Sequence, residues 1–323
     1  MKIPSSFSAA LRHLAIIAGI FPVVVLAGGS PVEEVPVETS SSVIGWHRGL
    51  DPMDFVEEAD ARDILVGAFT YQYLFGADFD TLPGEVSADE FSAFFPVLLL
   101  SNDRMRVMTY LNYRATSFDT SVPNLLPEGT LHTIRLPVTF LYDYSEKWLI
   151  GGMVMPGLSG DMDSTSDAFS FSVVAGVGYK QNPDLRWFGG VFYSQGFDDD
   201  ILTPGLGVMW NPTPKWSVNV LPPFANASWR FHENYALTLF GRYESATWNV
   251  EADSAGPDRD VAMSSLRVGL RLERRLSDHF WAQISGGVSF AREMEIETLS
   301  SATLQEDDVD AAPFVQAGVN IRF

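Results

Sequence analysis

The sequence predicts an all-β fold: an antiparallel up-and-down transmembrane β-barrel of about fourteen strands, with twelve as the alternative count. Three observations lead there. From Ile64 onward apolar and polar residues alternate with period two, in segments of roughly 8 to 15 residues, which is the pattern of strands rather than helices. Short polar turns alternate along the chain with mostly longer, acidic connections. The N-terminus reads as an export signal.

That signal occupies residues 1–27. Lys2 and Arg12 precede an apolar run from Leu14 to Leu26, and Val25 and Ala27 are placed for cleavage after Ala27. Pro22 interrupts the run, which argues against a retained membrane anchor, and Gly28 stands where a lipoprotein would carry Cys. Residues 28–62 differ in character from the rest of the chain. They hold Pro31, Pro36, a Ser-rich patch and the acids Glu33, Glu34, Glu38, Asp51, Asp54, Glu57, Glu58 and Asp60 against Arg48 and Arg62. This composition predicts an acidic periplasmic tail, with an inward-folded plug as the alternative. Residues 63–323 are then the barrel.

Within the barrel the clearest unit is VAMSSLRVGLRLERRLSDHFWAQISGGVSF. Ala262, Leu266, Val268, Leu270 and Leu272 share one face, while Met263, Ser265, Arg267, Gly269, Arg271 and Glu273 share the other. An LSDH turn follows, and Phe280, Ala282, Ile284, Val288 and Phe290 resume the apolar parity, so the pair forms a hairpin. Similar short turns fall at SNDR (101–104), YSEK (144–147), QNPD (181–184), NPTPK (211–215) and HEN (232–234). Between them GADFDTLPGEVSADE, SGDMDSTSD, GFDDD, EADSAGPDRD and ETLSSATLQEDDVD are expected to be acidic loops, and LPP at 221–223 a tight corner. The count falls to twelve strands if the segment around WSVNVLPPFANASW is one irregular feature.

A soluble sandwich also alternates, but it clusters loops at both ends. Short turns at one end, long loops at the other and an export signal together favour a membrane barrel, the one β architecture that leaves no backbone group unpaired in lipid. Tyr71, Tyr73, Phe75, Phe140, Tyr142, Trp187, Trp210, Trp216, Trp229, Trp248 and Trp281 are then expected near strand ends as interfacial aromatics. The final AGVNIRF places Ala317, Val319, Ile321 and Phe323 on one face. It resembles the terminal strand by which outer-membrane proteins engage the barrel assembly machinery, which implies an assembly signal at Val319, Ile321 and Phe323. The run from 188 to 245, with PGLG, then W and NPTPKW, then LP, resembles an uncharacterised outer-membrane β-barrel family described only as a domain of unknown function. That resemblance covers most of the chain after about residue 60, and implies fold and outer-membrane location without supplying any catalytic residue.

If the apolar parity faces lipid, the lumen receives Arg106, Arg114, Arg135, Arg242, Glu244, Arg267, Arg271, Glu273 and Arg322. Arginine outnumbers carboxylate there, although the whole chain carries a formal charge of -20. The expected function is a porin-like pore or transport channel for small solutes with an Arg-rich lumen. Two alternatives stand: a structural or surface-interaction barrel whose lumen is filled by salt bridges, and an outer-membrane lipid hydrolase. His132, with Ser117, Asp119 and Ser121 nearby, is the one arrangement that suggests the last, and a non-enzyme is expected. The chain has 0 Cys, which removes disulfides, thiolate metal sites and cysteine nucleophiles. No cofactor or metal is expected, since Asp161 and Asp163, Asp198 to Asp200, and Glu306 to Asp310 lack calcium-loop spacing. Outer-membrane lipid, the assembly machinery and small solutes are the expected partners. Nucleic acid is excluded by the charge.

Overall fold

The computed structural model describes residues 65–322 apart from positions 103, 124, 127–128, 163–167, 196–199, 252–257 and 299–302. The export signal, the acidic segment at 28–62 and Phe323 lie outside the described residues. Every described element is a strand. The first are β1 (Leu65–Asp78), β2 (Glu85–Ser101), β3 (Met105–Thr120), β4 (Thr130–Arg135) and β5 (Val138–Asp143). Next come β6 (Trp148–Gly160), β7 (Phe169–Asn182), β8 (Leu185–Gln195) and β9 (Asp200–Thr213). The short pair β10 (Trp216–Leu221) and β11 (Phe224–His232) leads into β12 (Tyr235–Val250), β13 (Arg259–Arg275), β14 (Phe280–Thr298), β15 (Thr303–Val309) and β16 (Ala312–Arg322).

Neighbours in sequence pair antiparallel, and the sheet closes where β1 meets β16, from Leu65 opposite Arg322 to Leu74 opposite Phe314. Two pairs of strands are halves of a single stave, so the barrel has fourteen staves. β4 and β5 both lie between β3 and β6, split at Leu136 and Pro137, because proline has no N–H for the ladder. β15 and β16 both pair with β14, at Arg292–Glu297 and Phe280–Ser289 respectively. An even number of staves brings Leu65 and Arg322 to the short-turn end.

Parity sorts the side chains as an apolar-outside barrel requires. Leu239, Leu270, Leu272, Ile284, Val288 and Val315 point outward and are exposed. Trp148, Trp187, Trp216 and Trp229 also face outward, within three or four residues of the short turns, and form one aromatic girdle. Trp248 and Trp281 do not belong to it. They point inward and are 3% and 0% exposed, so the expectation of interfacial roles fails for both. Trp281 shares its parity with Gln283 and Ser285, and burial of its ring in a packed lumen outweighs the interfacial preference of indole.

The acidic connections also differ from expectation. β1 and β2 continue through most of GADFDTLPGEVSADE, leaving residues 79–84 as the connection. ETLSSATLQEDDVD is largely a hairpin of β14 and β15 that extends the wall beyond the β16 ladder. Both stretches alternate, with Val86, Ala88 and Glu90 inward in the first and Asp307 and Val309 inward in the second, so pairing wins over acidic composition.

The corner at Pro222 and Pro223 shapes the wall. It ends β10 and β11 early, so β9 pairs with β10 only over Val208–Thr213. Residues 201–206 of β9 keep β8 as their strand partner, and 244–248 of β12 keep β13. A notch is left in the wall at the long-loop end, bordered by Leu202 and Leu206, the latter 81% exposed. The end of β6 crosses to β12: Gly160 and Asn249 form a parallel bridge, and Asp161 N–H donates to the Asn249 carbonyl at 3.3 Å. A Cβ on Gly160 would lie 2.4 Å from that carbonyl oxygen, so the approach requires glycine.

Candidate functional site

The inside of the barrel is built from alternate residues of every stave, and it is not uniform. Across β1–β4 and β12–β16 it is packed. At the long-loop end the packing is apolar: Leu74, Val86, Leu131, Trp248, Val261, Met294 and Phe314 form one buried cluster, which Leu125 and Leu126 of the β3–β4 connection join. Here the expectation of a polar lumen gives way, because β6 and β12 draw the walls close enough for side chains to meet.

Below that cluster lies an ion network. Arg267 approaches Glu244 at 2.6 Å and Glu90 at 3.6 Å; Arg242 approaches Glu244 at 2.7 Å; Arg114 lies 3.8 Å from Glu244 and 3.9 Å from Glu90. The network ties the β2–β3 wall to the β12–β13 wall across the lumen. Arg242 also donates to Gln72 Oε1 at 3.3 Å. Towards the short turns Arg322 pairs with Glu273, which accepts from Asn320 Nδ2 at 2.7 Å. Arg322 lies 4.8 Å and Arg230 5.8 Å from the Trp281 ring centre, and Arg271 lies 5.1 Å from that of Phe240, cation-over-ring arrangements that suit desolvated guanidinium.

Each charged residue named from the sequence thus has lumenal parity, but they do not form one stripe. Arg114, Arg242, Glu244 and Arg267 make the central network; Glu273 and Arg322 make a second pair beside Arg271. Arg106 stands apart, donating from Nη2 to both carboxylate oxygens of Asp143 at 2.9 and 2.8 Å. Arg135 faces the lumen opposite Gly157 and stays exposed. Sequence reasoning missed Glu90 and Asp143. Glu90 sat in a stretch read as a loop, yet its spacing from Val86 and Ala88 was the available signal.

The opposite wall, β7–β9, is different. Many of its inward residues are small and half-exposed, namely Ser170, Ser172 and Gly176, then Gly190 and Ser194, then Thr203 and Gly205, and between them stand the inward side chains of Val174, Phe188, Phe192 and Ile201. Gly151, Gly176, Gly190 and Gly205 lie directly opposite one another on four successive strands, a row without side chains. Near the short turns the inward residues Met108, Leu149, Arg186 and Met209 are buried. Among the described residues the lumen is therefore less filled beside the middle of β7–β9, next to the notch at β9, than across the opposite wall.

His132 pairs with Tyr113 rather than with Ser117. Its Nδ1 is 2.8 Å from Tyr113 Oη on the outward face, and Ser117 Oγ is 2.8 Å from Thr130 Oγ1. Among the described residues no group of three or more His, Cys, Asp or Glu could hold a metal ion.

A closed fourteen-stave antiparallel barrel with an apolar exterior and polar groups inside defines a transmembrane β-barrel of the outer-membrane type. Residues 102–322 match the family "Domain of unknown function (DUF6268)", which is well over half of the chain. The chain belongs to that family. Among solved structures it is similar to the NanC porin, with 6% identity, TM-score 0.38, and 80% of this chain and 100% of that one covered. It is also similar to a FadL homologue of Pseudomonas aeruginosa, with 10% identity, TM-score 0.42, and 79% and 89% covered. The translocator domain of the autotransporter NalP from Neisseria meningitidis gives 12% identity, TM-score 0.36, and 82% and 90% covered. No curated protein sequence matches the chain.

Proposed function

We propose that the protein is an outer-membrane channel that admits small solutes through the open half of its lumen. The observation that carries this reading is the one-sided packing: the β12–β16 and β1–β4 walls are filled by buried ion pairs and apolar side chains, whereas the inward residues in the middle of the β7–β9 wall, Ser, Thr and Gly together with Val174, Phe188, Phe192 and Ile201, stay half-exposed or exposed. Gly176 and Gly190 are required by the close approach of β7 and β8, where a Cβ would lie 2.7 and 2.5 Å from a backbone carbonyl oxygen, but a Cβ on Gly205 would meet nothing within 4 Å, space that a packed scaffold would fill. Arg135, exposed on the lumenal face, biases the path towards anionic or acidic solutes. The buried Met108, Leu149, Arg186 and Met209 make the short-turn end the narrow point.

The second reading, a structural or surface barrel with a filled lumen, is favoured by the packed half alone. Planar-bilayer recording separates the two. The channel reading expects discrete conductance steps with a preference for anions. Ser172→Trp, whose hydroxyl meets Ser194 Oγ at 2.8 Å on the open wall, is expected to reduce the step size by about half or more. Arg135→Gln is expected to weaken anion preference while leaving the fold intact. A silent bilayer for wild-type protein, or steps indifferent to Ser172→Trp, would favour the filled barrel.

A further inference from the structure

Between the ion network and the apolar cluster lies a cavity of about 40 Å³, lined by Glu90, Arg114, Thr116, Glu244, Arg267 and Arg292 together with apolar side chains that include Trp248. Four guanidiniums, those of Arg114, Arg242, Arg267 and Arg292, belong to this region against the two carboxylates of Glu90 and Glu244. Positive charge is therefore in excess by two. Arginine does not shed its proton in proteins, so titration offers no relief. Protonating either glutamate would only deepen the imbalance.

The donors at the cavity are also incompletely used. Arg292 is 2% exposed; its Nη1 donates to the Asp310 carbonyl at 3.1 Å, while its Nη2 is buried without a hydrogen-bond partner. Arg267 Nε, Thr116 Oγ1 and Trp248 Nε1 are buried without partners as well. Orphaned buried donors are costly, and more so when the donor is charged. The volume exceeds the roughly 10–15 Å³ that a single water requires, so it admits a halide-sized ion.

We infer that this cavity is a binding site for a small monovalent inorganic anion of halide size, held by Arg292 and Arg267 with Thr116 and Trp248. Two Arg donors supply the charge, and the hydroxyl and indole N–H supply uncharged hydrogen bonds. The glutamate oxygens turn to Arg242, Arg267 and Arg114 and thus away from the role of anion partner. The ion halves the excess positive charge of the packed half and locks its two walls together, whether or not the open half conducts.

The test uses detergent-solubilised, folded barrel and follows unfolding by the heat-dependent shift in electrophoretic mobility. The midpoint is compared in sodium chloride and in sodium gluconate at equal ionic strength. The site predicts a higher and saturable midpoint in chloride, and loss of that difference in Arg292→Gln. Thr116→Val keeps the charges and guards against misfolding of the first variant; it is expected to raise the half-saturating chloride concentration about tenfold, the factor that corresponds to loss of one hydrogen bond to a charged group. Crystals grown in bromide should give an anomalous peak within the cavity. Equal midpoints in chloride and gluconate, or a bromide-soaked cavity that holds only water, would overturn the assignment.

Discussion

Glu244→Gln is expected to destabilise the barrel by about 3–5 kcal/mol, the cost of removing one partner from a buried ion pair. Glu244 is the hub of the lumenal network, with Arg267 at 2.6 Å, Arg242 at 2.7 Å and Arg114 at 3.8 Å, and its side chain is 11% exposed. The amide keeps the shape and removes the charge, so three guanidiniums are left with Glu90, whose contacts are longer, at 3.6 and 3.9 Å. Glu90→Gln should therefore cost less. Urea unfolding followed by tryptophan fluorescence checks the order, and an equal or smaller loss for Glu244→Gln would remove Glu244 from the centre of the packing.

Gly287→Ala is expected to have the second large effect. A Cβ at Gly287 would lie 2.0 Å from the Val268 carbonyl oxygen, and one on Gly269 opposite would lie 2.7 Å from that of Gly286. Phe240 and Phe314, with ring centres 6.2 Å apart, cover this flat patch from the lumen. The methyl must push backbone rather than a flexible side chain, so the cost exceeds the usual range of about 1–3 kcal/mol for an overpacked core. Loss of the folded, heat-modifiable form, or a refolding yield well below wild type, is the expected outcome. Wild-type stability for Gly287→Ala would mean that the β13–β14 ladder is looser than its register implies.

Much of this architecture was legible in the chain because strand parity is a local property. Val268, Leu270 and Leu272 announce their outward face without reference to anything distant, and Arg322 falls on the lumenal face by the same counting. An even number of staves likewise makes the pairing of the last strand with the first antiparallel, as observed. Misreadings arose where composition was given more weight than parity. The acids of GEVSADE suggested a loop and hid Glu90, although Val86 and Ala88 mark the same face. Trp281 looked like an interfacial indole, although its neighbours Gln283 and Ser285 are lumenal. The bridge from Gly160 to Asn249 was not legible at all, because the two positions lie on strands far apart in sequence and their approach depends on how far β10 and β11 extend. The asymmetry of the lumen follows from that bridge, so the packed and open halves could not be told apart from a list of inward residues.

Division of the lumen into a packed and an open half underlies both the channel and the anion site, and the absence of native cysteine makes it directly measurable. Single cysteines at Ser172, Ser194 and Thr203 test the open wall, and at Ser285, Ser289 and Thr116 the packed one. With a water-soluble maleimide applied to the folded barrel, the first three should label rapidly and the last three only after unfolding. Equal labelling of both sets in the folded state would contradict a divided lumen.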